Sequence, residues 1–137
     1  RSFPVTRTGR LLYLLPRHAL DEELVARVFA MRNVAHREHW KTRSYAAHMA
    51  LGGLYEGLPD LIDGIVESYQ AQHGLIELDG KFVTPAVEDC CDFLKTQAKW
   101  VAEHREDFCS DSSDVENQVD SLLKLLHSTI YKLEFLK

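Results

Sequence analysis

The chain has 137 residues, of which 45% are hydrophobic and 27% charged, and its formal net charge is −5. These values predict one globular domain with a proper core, and they exclude nucleic-acid binding by its body through charge alone. No apolar run approaches the roughly 18 residues that span a bilayer, so we expect no membrane contact, no signal peptide and a cytoplasmic location. The sequence starts at Arg1 rather than Met, and we expect it to be trimmed or incomplete.

Residues 1–20 are predicted to form a basic arm ahead of a helical domain at 21–137. The arm has no acidic residue, and its two prolines discourage a regular helix. Its short LLYLL run favours an arm that packs against the domain or a neighbour. Its basic residues are Arg1, Arg7, Arg10 and Arg17.

The first helix is predicted from about Asp21, a plausible N-cap, to Lys41. Its inward stripe repeats at spacings of four, three and four, and consists of Leu24, Val28, Met31 and Ala35. His39 continues that stripe four residues on and is the preferred inward ligand. His36 lies about 60° further round the helix, and it is kept as the alternative.

The second helix is predicted from Arg43 to Gln72, after a link short enough to make the two helices antiparallel neighbours. Asp63 and Glu67 are four residues apart and share one stripe, and two carboxylates next to imidazoles suit a divalent ion such as iron. His48 shares roughly that face but lies about 22 Å away along a straight helix. Either the helix breaks, or a second copy lies antiparallel and completes the site, which predicts a two-fold dimer.

Four glycines and a proline are unusual in so long a helix, because each glycine costs up to about 1 kcal/mol and an interior proline about 3 kcal/mol. They could allow close backbone packing at a dimer contact. They could equally split the helix near Gly57 to Pro59. The residues are Gly52, Gly53, Gly57, Pro59 and Gly64.

Residues 74–84 contain β-branched and aromatic residues around Asp79-Gly80. They predict either a small hairpin with an Asp-Gly turn or an extended crossover. About 11 extended residues reach roughly 36–40 Å, barely the length of the preceding helix. The segment itself does not decide between the two.

Two further helices complete the predicted domain. The third is expected to begin at Thr84-Pro85, with the proline at the first helical position. The fourth is expected to begin with a capping box of Ser113 and Glu116.

The three cysteines have no CxxC pairing, and their spacing to histidines does not fit a zinc site. Cys90 and Cys91 sit beside apolar positions of the third helix and are interpreted as small core residues. Free thiols of this kind suit a reducing cytoplasm.

One set of residues in the first two helices resembles the signature of Dps-like proteins of the ferritin-like superfamily. The set consists of His39-Trp40, His48, Tyr55, Leu58, Asp63 and Glu67. From the second histidine onward the offsets match that family without a gap. The loop before it is three residues shorter than usual, and an ungapped alignment would put His36 in place of His39. The match covers roughly residues 24–72, and similar chains are also encoded by phages, so the resemblance implies a bacterial or phage source.

The resemblance implies an all-α, ferritin-like four-helix bundle, and favours the crossover over the hairpin. It implies a homo-oligomer that oxidises iron at a site formed by His39 and His48 of one subunit with Asp63 and Glu67 of its neighbour. Peroxide or dioxygen would be the oxidant, and Trp40 would be open to oxidation. The basic arm would then make a weak DNA contact. The alternatives are a non-catalytic ferritin-like scaffold, a virion-associated interaction protein and a DNA-protecting binder.

Overall fold

The computed structural model describes residues 20–109 and 112–137, and in them the chain forms four helices and no strand. The predicted all-α four-helix bundle is confirmed. The basic arm predicted at 1–20 falls almost entirely outside the described residues; of it only Leu20 is seen, buried in the core. The helices are α1 (Glu22–Lys41), α2 (Tyr45–His73), α3 (Cys90–Cys109) and α4 (Ser113–Phe135).

Side-chain caps begin the first two helices. The carboxylate of Asp21 accepts a hydrogen bond from the backbone N–H of Glu23 at 3.0 Å, which confirms the predicted N-cap of α1. The hydroxyl of Ser44 accepts from the N–H of Ala47 at 3.2 Å and caps α2. Residues 42–44 therefore make the tight antiparallel turn that was predicted.

The capping box predicted for α4 is wrong. Ser113 is already the first helical residue, and the N-cap position belongs to Ser112, whose side chain makes no capping bond. The hydroxyl of Ser112 instead donates to the side-chain oxygen of Gln72 on α2. A tertiary hydrogen bond has thus replaced the local one that the sequence pattern indicates.

Each helix packs against two antiparallel neighbours. α1 lies beside α2 and α3, and α4 lies beside the same two helices, so α2 and α3 occupy opposite corners of the bundle. Ser68 bonds Gln118 while Gln72, further along α2, bonds Asp114 near the start of α4. Since α1 is antiparallel to both α2 and α3, those two helices run in the same direction.

The link between α2 and α3 must therefore return along the full length of the bundle. Residues 74–89 do so as an extended crossover over the outer face of α1, and no hairpin forms there. The two aromatic rings of Phe29 and Phe82 meet edge to face with centroids 4.9 Å apart. In chain order the crossover contacts are Gly80 with Glu22, Phe82 with Phe29, Thr84 with Asn33 and Pro85 with Arg37.

The third helix begins at Cys90 and not at the predicted Thr84-Pro85. The 29 residues of α2 rise about 43 Å, and a link of about 11 extended residues reaches only roughly 36–40 Å. The guanidinium of Arg37 donates to the carbonyl oxygen of Pro85 at 2.8 Å, and this holds the link extended past the proline. The carboxylate of Asp89 accepts from the N–H of Asp92 at the true start of the helix.

The apolar stripe predicted for α1 faces the common core, and leucines of α4 face the same core. Leu24, Val28 and Met31 of α1 are buried, as are Leu122 and Leu126 of α4. None of the helices in the described part of the chain is both long and apolar enough to cross a bilayer.

Candidate functional site

His39 and His48 lie together where α1 ends and α2 begins. Their rings stack with centroids 3.6 Å apart and planes inclined by 20°. His39 Nδ1 lies 2.7 Å from the backbone oxygen of His48, and His48 Nδ1 lies 2.9 Å from that of His39. Each imidazole is thus held by the backbone of the other.

This reciprocal pair determines which ring nitrogen carries the proton. A carbonyl oxygen can only accept, so each Nδ1 is the donor, and in the neutral ring each Nε2 keeps a free lone pair. No protein group in the described residues bonds either Nε2, and no buried side-chain nitrogen or oxygen there lacks a partner. Both Nε2 atoms therefore reach solvent, as a metal ligand requires.

Gly52 makes room for this pair. A Cβ atom added at Gly52 would lie 3.3 Å from Cε1 of the His39 ring, which is closer than most real contacts. Two more helical glycines also face their own chain, since Gly57 lies against Leu125 and Gly64 against Gln118 of α4. Close packing by these glycines thus lies within the chain, whereas Gly53 has nothing within 4 Å.

His36, the alternative ligand, is used differently. Its ring stacks on Tyr55 with centroids 3.9 Å apart and lies 4.2 Å from the ring of Trp40. The ring of Tyr55 also meets His39 edge-on at 5.2 Å. The structure therefore pairs His39, and not His36, with His48.

The second helix does not break. α2 is continuous from Tyr45 to His73 with Pro59 inside it, so of the two alternatives the split near Gly57 to Pro59 is excluded. Asp63 and Glu67 are both exposed on its outward side, and neither has an ion-pair or hydrogen-bond partner among the described residues.

Within a single chain the four predicted ligands form two separate pairs. The imidazoles lie at one end of the α1–α2 face, and the carboxylates lie further down α2, about 22 Å away by helical rise. No group of three or more histidine, cysteine or acidic side chains in residues 20–109 and 112–137 is placed to hold a metal ion. A site that uses all four residues would require two chains.

A groove of about 280 Å³ lies between α1 and α2, below the imidazole pair. Phe29 and Arg32 line it from α1, and Pro59, Ile62 and Asp63 line it from α2. It is slightly smaller than the roughly 300–1,000 Å³ typical of sites for drug-sized ligands. The carboxylate predicted as a ligand is thus also part of the wall of an apolar groove.

The thiols offer weaker ligands than the imidazoles. Burial raises the pKa of Cys90 to about 12 and that of Cys109 to about 11, and it also raises the pKa of Cys91. Neutral thiols are poor nucleophiles and poor metal ligands. Cys90 and Cys91 are half-buried and only Cys109 is fully buried, so the interpretation of the first two as core residues is only partly correct.

Gly52, Phe29 and Phe82 are parts of this face that sequence reasoning missed. The glycine was considered for its cost to the helix and not for the ring beside it. Phe82 could have been found, because an aromatic residue in an extended link must cover some apolar surface.

A family model described as a family of unknown function (DUF5856) matches residues 39–133, well over half of the chain. An uncharacterized 14.6 kDa protein from the mobD-ri intergenic region of Enterobacteria phage T4 is 24% identical over 116 residues, covering 82% of this chain and 86% of the relative. No solved structure matches the chain significantly.

Proposed function

The chain belongs to DUF5856, a family of unknown function, and we propose that it is a Dps-like protein that binds and oxidises Fe(II) at sites shared by two copies. The observation that carries the proposal is the imidazole pair. His39 and His48 hold each other through Nδ1 and leave both Nε2 atoms open to solvent. Such preorganised neutral imidazoles suit borderline divalent ions, including Fe(II).

The helix arrangement supports a ferritin-like bundle. Helices antiparallel to both neighbours, with one long crossover between the second and third, are the ferritin-like variant of the four-helix bundle. In this chain the crossover passes over α1 and is held by Asn33 and Arg37.

The carboxylates complete the proposed site from a second copy. Asp63 and Glu67 are exposed, unpaired among the described residues and one helical turn apart. Laid antiparallel, a second α2 brings its carboxylates to the imidazoles of the first, and the same contact occurs again at the other end. The charges are complementary, because Lys41 and Arg43 flank the imidazoles while the outward side of α2 further down is acidic.

Each group has a distinct role in the proposed reaction, in which Fe(II) is the substrate. Two Fe(II) ions give one electron each to hydrogen peroxide, whose O–O bond breaks to form two waters with uptake of two protons. The carboxylates of Asp63 and Glu67 stabilise the charge gained by iron. His39 and His48 hold Fe(II) through Nε2 and leave coordination positions open for the oxidant.

The test adds Fe(II) to the metal-free protein without oxygen, then adds peroxide and follows the ferric absorbance. We expect His48→Ala and Asp63→Asn to reduce the rate to that of iron in buffer. His104→Ala and Asp107→Asn are the matched controls, because His104 also bonds a backbone oxygen through Nδ1 and Asp107 is also exposed. If His48→Ala oxidises iron as fast as His104→Ala does, the proposed site is wrong. If the wild-type protein oxidises iron no faster than buffer does, the chain is a helical scaffold and not an iron-oxidising protein.

A further inference from the structure

The outer side of α1 carries two exposed aromatic residues, Phe29 and Trp40, on one helical stripe. Phe29, Asn33, His36 and Trp40 follow one another at intervals of four, three and four residues, so they share one stripe. Trp40 is 71% exposed although its helix is well packed on its other side. A large exposed indole on a well-packed helix offers apolar contact area to a second molecule.

The lower part of the same stripe borders the groove between α1 and α2. Phe29 is both a wall of the groove and the partner of Phe82 on the crossover, and both rings remain more than a third exposed. Arg32 and Pro59 complete its rim. The groove is therefore a largely apolar seat with an aromatic wall, of a size for one flat side chain.

In the proposed dimer, the two-fold axis brings this groove of one copy opposite Trp40 of the other copy. This step rests on the proposed function, because the register is the one that brings His48 opposite the partner's carboxylates. That register places the axis at about residue 56 of α2, and Pro59 to Asp63 of one copy then face Met49 to Gly53 of the other. α1 at that level carries His39, whose ring lies beside Gly52, and Trp40 follows it in the sequence.

We propose that Trp40 of each copy inserts into the groove of the other and packs on the ring of Phe29, which is in turn held by the crossover residue Phe82. The occupant is a second copy of this chain, since the face is complementary to itself in charge as well as in shape. Lys41 and Arg43 lie beside Trp40, and Asp63 lies in the groove that receives it. A Cβ atom added at Gly53 would meet no other part of the described chain within 4 Å, and in this register Gly53 lies close to the axis where the two α2 helices approach.

This insertion gives the crossover a role in the assembly. Phe82 is held against Phe29, and the backbone N–H of Gly80 donates to the carboxylate of Glu22 at 2.6 Å. The crossover therefore presents its aromatic ring in a fixed position. The inserted indole would also lie beside Asp63 and exclude water from one side of the shared site.

The test measures self-association of the full chain, free of metal, by sedimentation over a range of concentrations. We expect Trp40→Ala and Phe82→Ser each to weaken association at least about tenfold, as truncation of a buried aromatic anchor does. Phe135→Ala is the matched control, because Phe135 is 68% exposed but lies at the end of α4. Trp40→Ala associating as tightly as Phe135→Ala, or a wild-type chain that stays monomeric, would overturn the proposal.

Fluorescence gives a second measurement that does not depend on the truncations. The chain has two tryptophans. The variant Trp100→Phe therefore leaves Trp40 as the sole tryptophan that fluoresces, and it keeps an aromatic ring near Arg27. Its emission should shift to shorter wavelength as dimers form. Emission that stays typical of water-exposed indole in the dimer contradicts the insertion.

The two proposals can fail separately. If Trp40 becomes buried in a dimer that forms without metal, but the protein does not oxidise iron, the proposed function is wrong and the proposed dimer surface is supported. If iron is oxidised normally by a Trp40→Ala protein that still dimerises, the insertion is wrong and the function stands.

Discussion

The α1–α2 pair and the α3–α4 pair are both antiparallel helical hairpins. They differ in whether their charged side chains are paired with partners. Between α3 and α4, Arg105 holds Asp120 through two hydrogen bonds of 2.6 and 2.9 Å, and Lys95 pairs with Glu134. On the outer side of α2, Asp63 has no such partner among the described residues. Unpaired carboxylates beside an exposed aromatic stripe indicate a face prepared for something outside the chain.

The ligand-forming groups differ in the same way. The cysteines all lie on α3, where burial raises their pKa and keeps them neutral. The paired imidazoles lie where α1 meets α2, with Nε2 of both His39 and His48 reaching solvent. The candidate site therefore lies where ligand atoms reach solvent, at the imidazole pair. The number of metal-ligating residue types on a helix does not locate it.

The largest expected effect concerns the thiol of Cys90. A rise in its pKa from 9.0 to about 12 lowers the thiolate fraction near pH 8 about a thousandfold, and only the thiolate is alkylated. We expect iodoacetamide to modify Cys90 in the native protein about a thousandfold more slowly than in urea, by peptide mass spectrometry. The rate should rise with pH up to that pKa. Similar alkylation rates in the native and urea-unfolded protein would show that a reactive thiol is available on α3. The contrast between the thiols of α3 and the imidazoles of α1 and α2 would then be wrong.

The next prediction tests whether the α1–α2 pair and the α3–α4 pair share one hydrophobic core. Leu54 of α2 and Leu122 of α4 are both fully buried, so replacing either by alanine should lower the free energy of unfolding by about 2–5 kcal/mol. Urea denaturation followed by circular dichroism measures both losses. Two separate unfolding transitions in either variant would mean that the pairs are independent units.

A smaller effect is expected at the glycines of α2. Gly53→Ala should raise the free energy of unfolding of the dilute protein by about 1 kcal/mol, because alanine favours the helix and its Cβ meets nothing. Gly52→Ala is the control and should gain less, since its Cβ crowds the His39 ring. Equal gains at both positions would remove the proposed role of Gly52 in making room for the imidazole pair.

The smallest effect concerns the ion pair that closes α3 on α4. Arg105 lowers the pKa of Asp120 by hydrogen bonding, so its stabilisation is present above the ordinary carboxyl pKa of 3.8 and lost as pH falls through the lower folded value. The pair is largely exposed, and Asp120→Asn should cost only about 0.2–1 kcal/mol at pH 7. The difference from wild type in thermal unfolding should shrink as the pH is lowered below 3.8. A difference that grows in acid would contradict this assignment.

Much of the fold was predictable because it depends on local patterns. The inward stripe of α1, the N-cap at Asp21 and the antiparallel turn before α2 all follow from residues within a few positions of each other. The start of α3 was not predictable in this way. Thr84-Pro85 has the pattern of a helix start, but Arg37 bonds the proline carbonyl and the crossover has to cover the length of α2.

The candidate site, like the fold, was predictable only in part. The sequence alone placed imidazoles and carboxylates on two neighbouring helices, since residue spacing determines which helical face a side chain occupies. The choice of His39 over His36 as the partner of His48 rests on ring stacking and on two hydrogen bonds to backbone oxygens.

The sequence by itself determined the four helices, most of their inward faces and the residue types available as ligands, because these properties follow from periodicity along one chain. Only the tertiary structure decided that α2 stays continuous, that residues 74–89 cross over α1 and that Nε2 of both imidazoles is open to solvent. Those outcomes depend on contacts between distant parts of the chain, and no local pattern encodes such contacts.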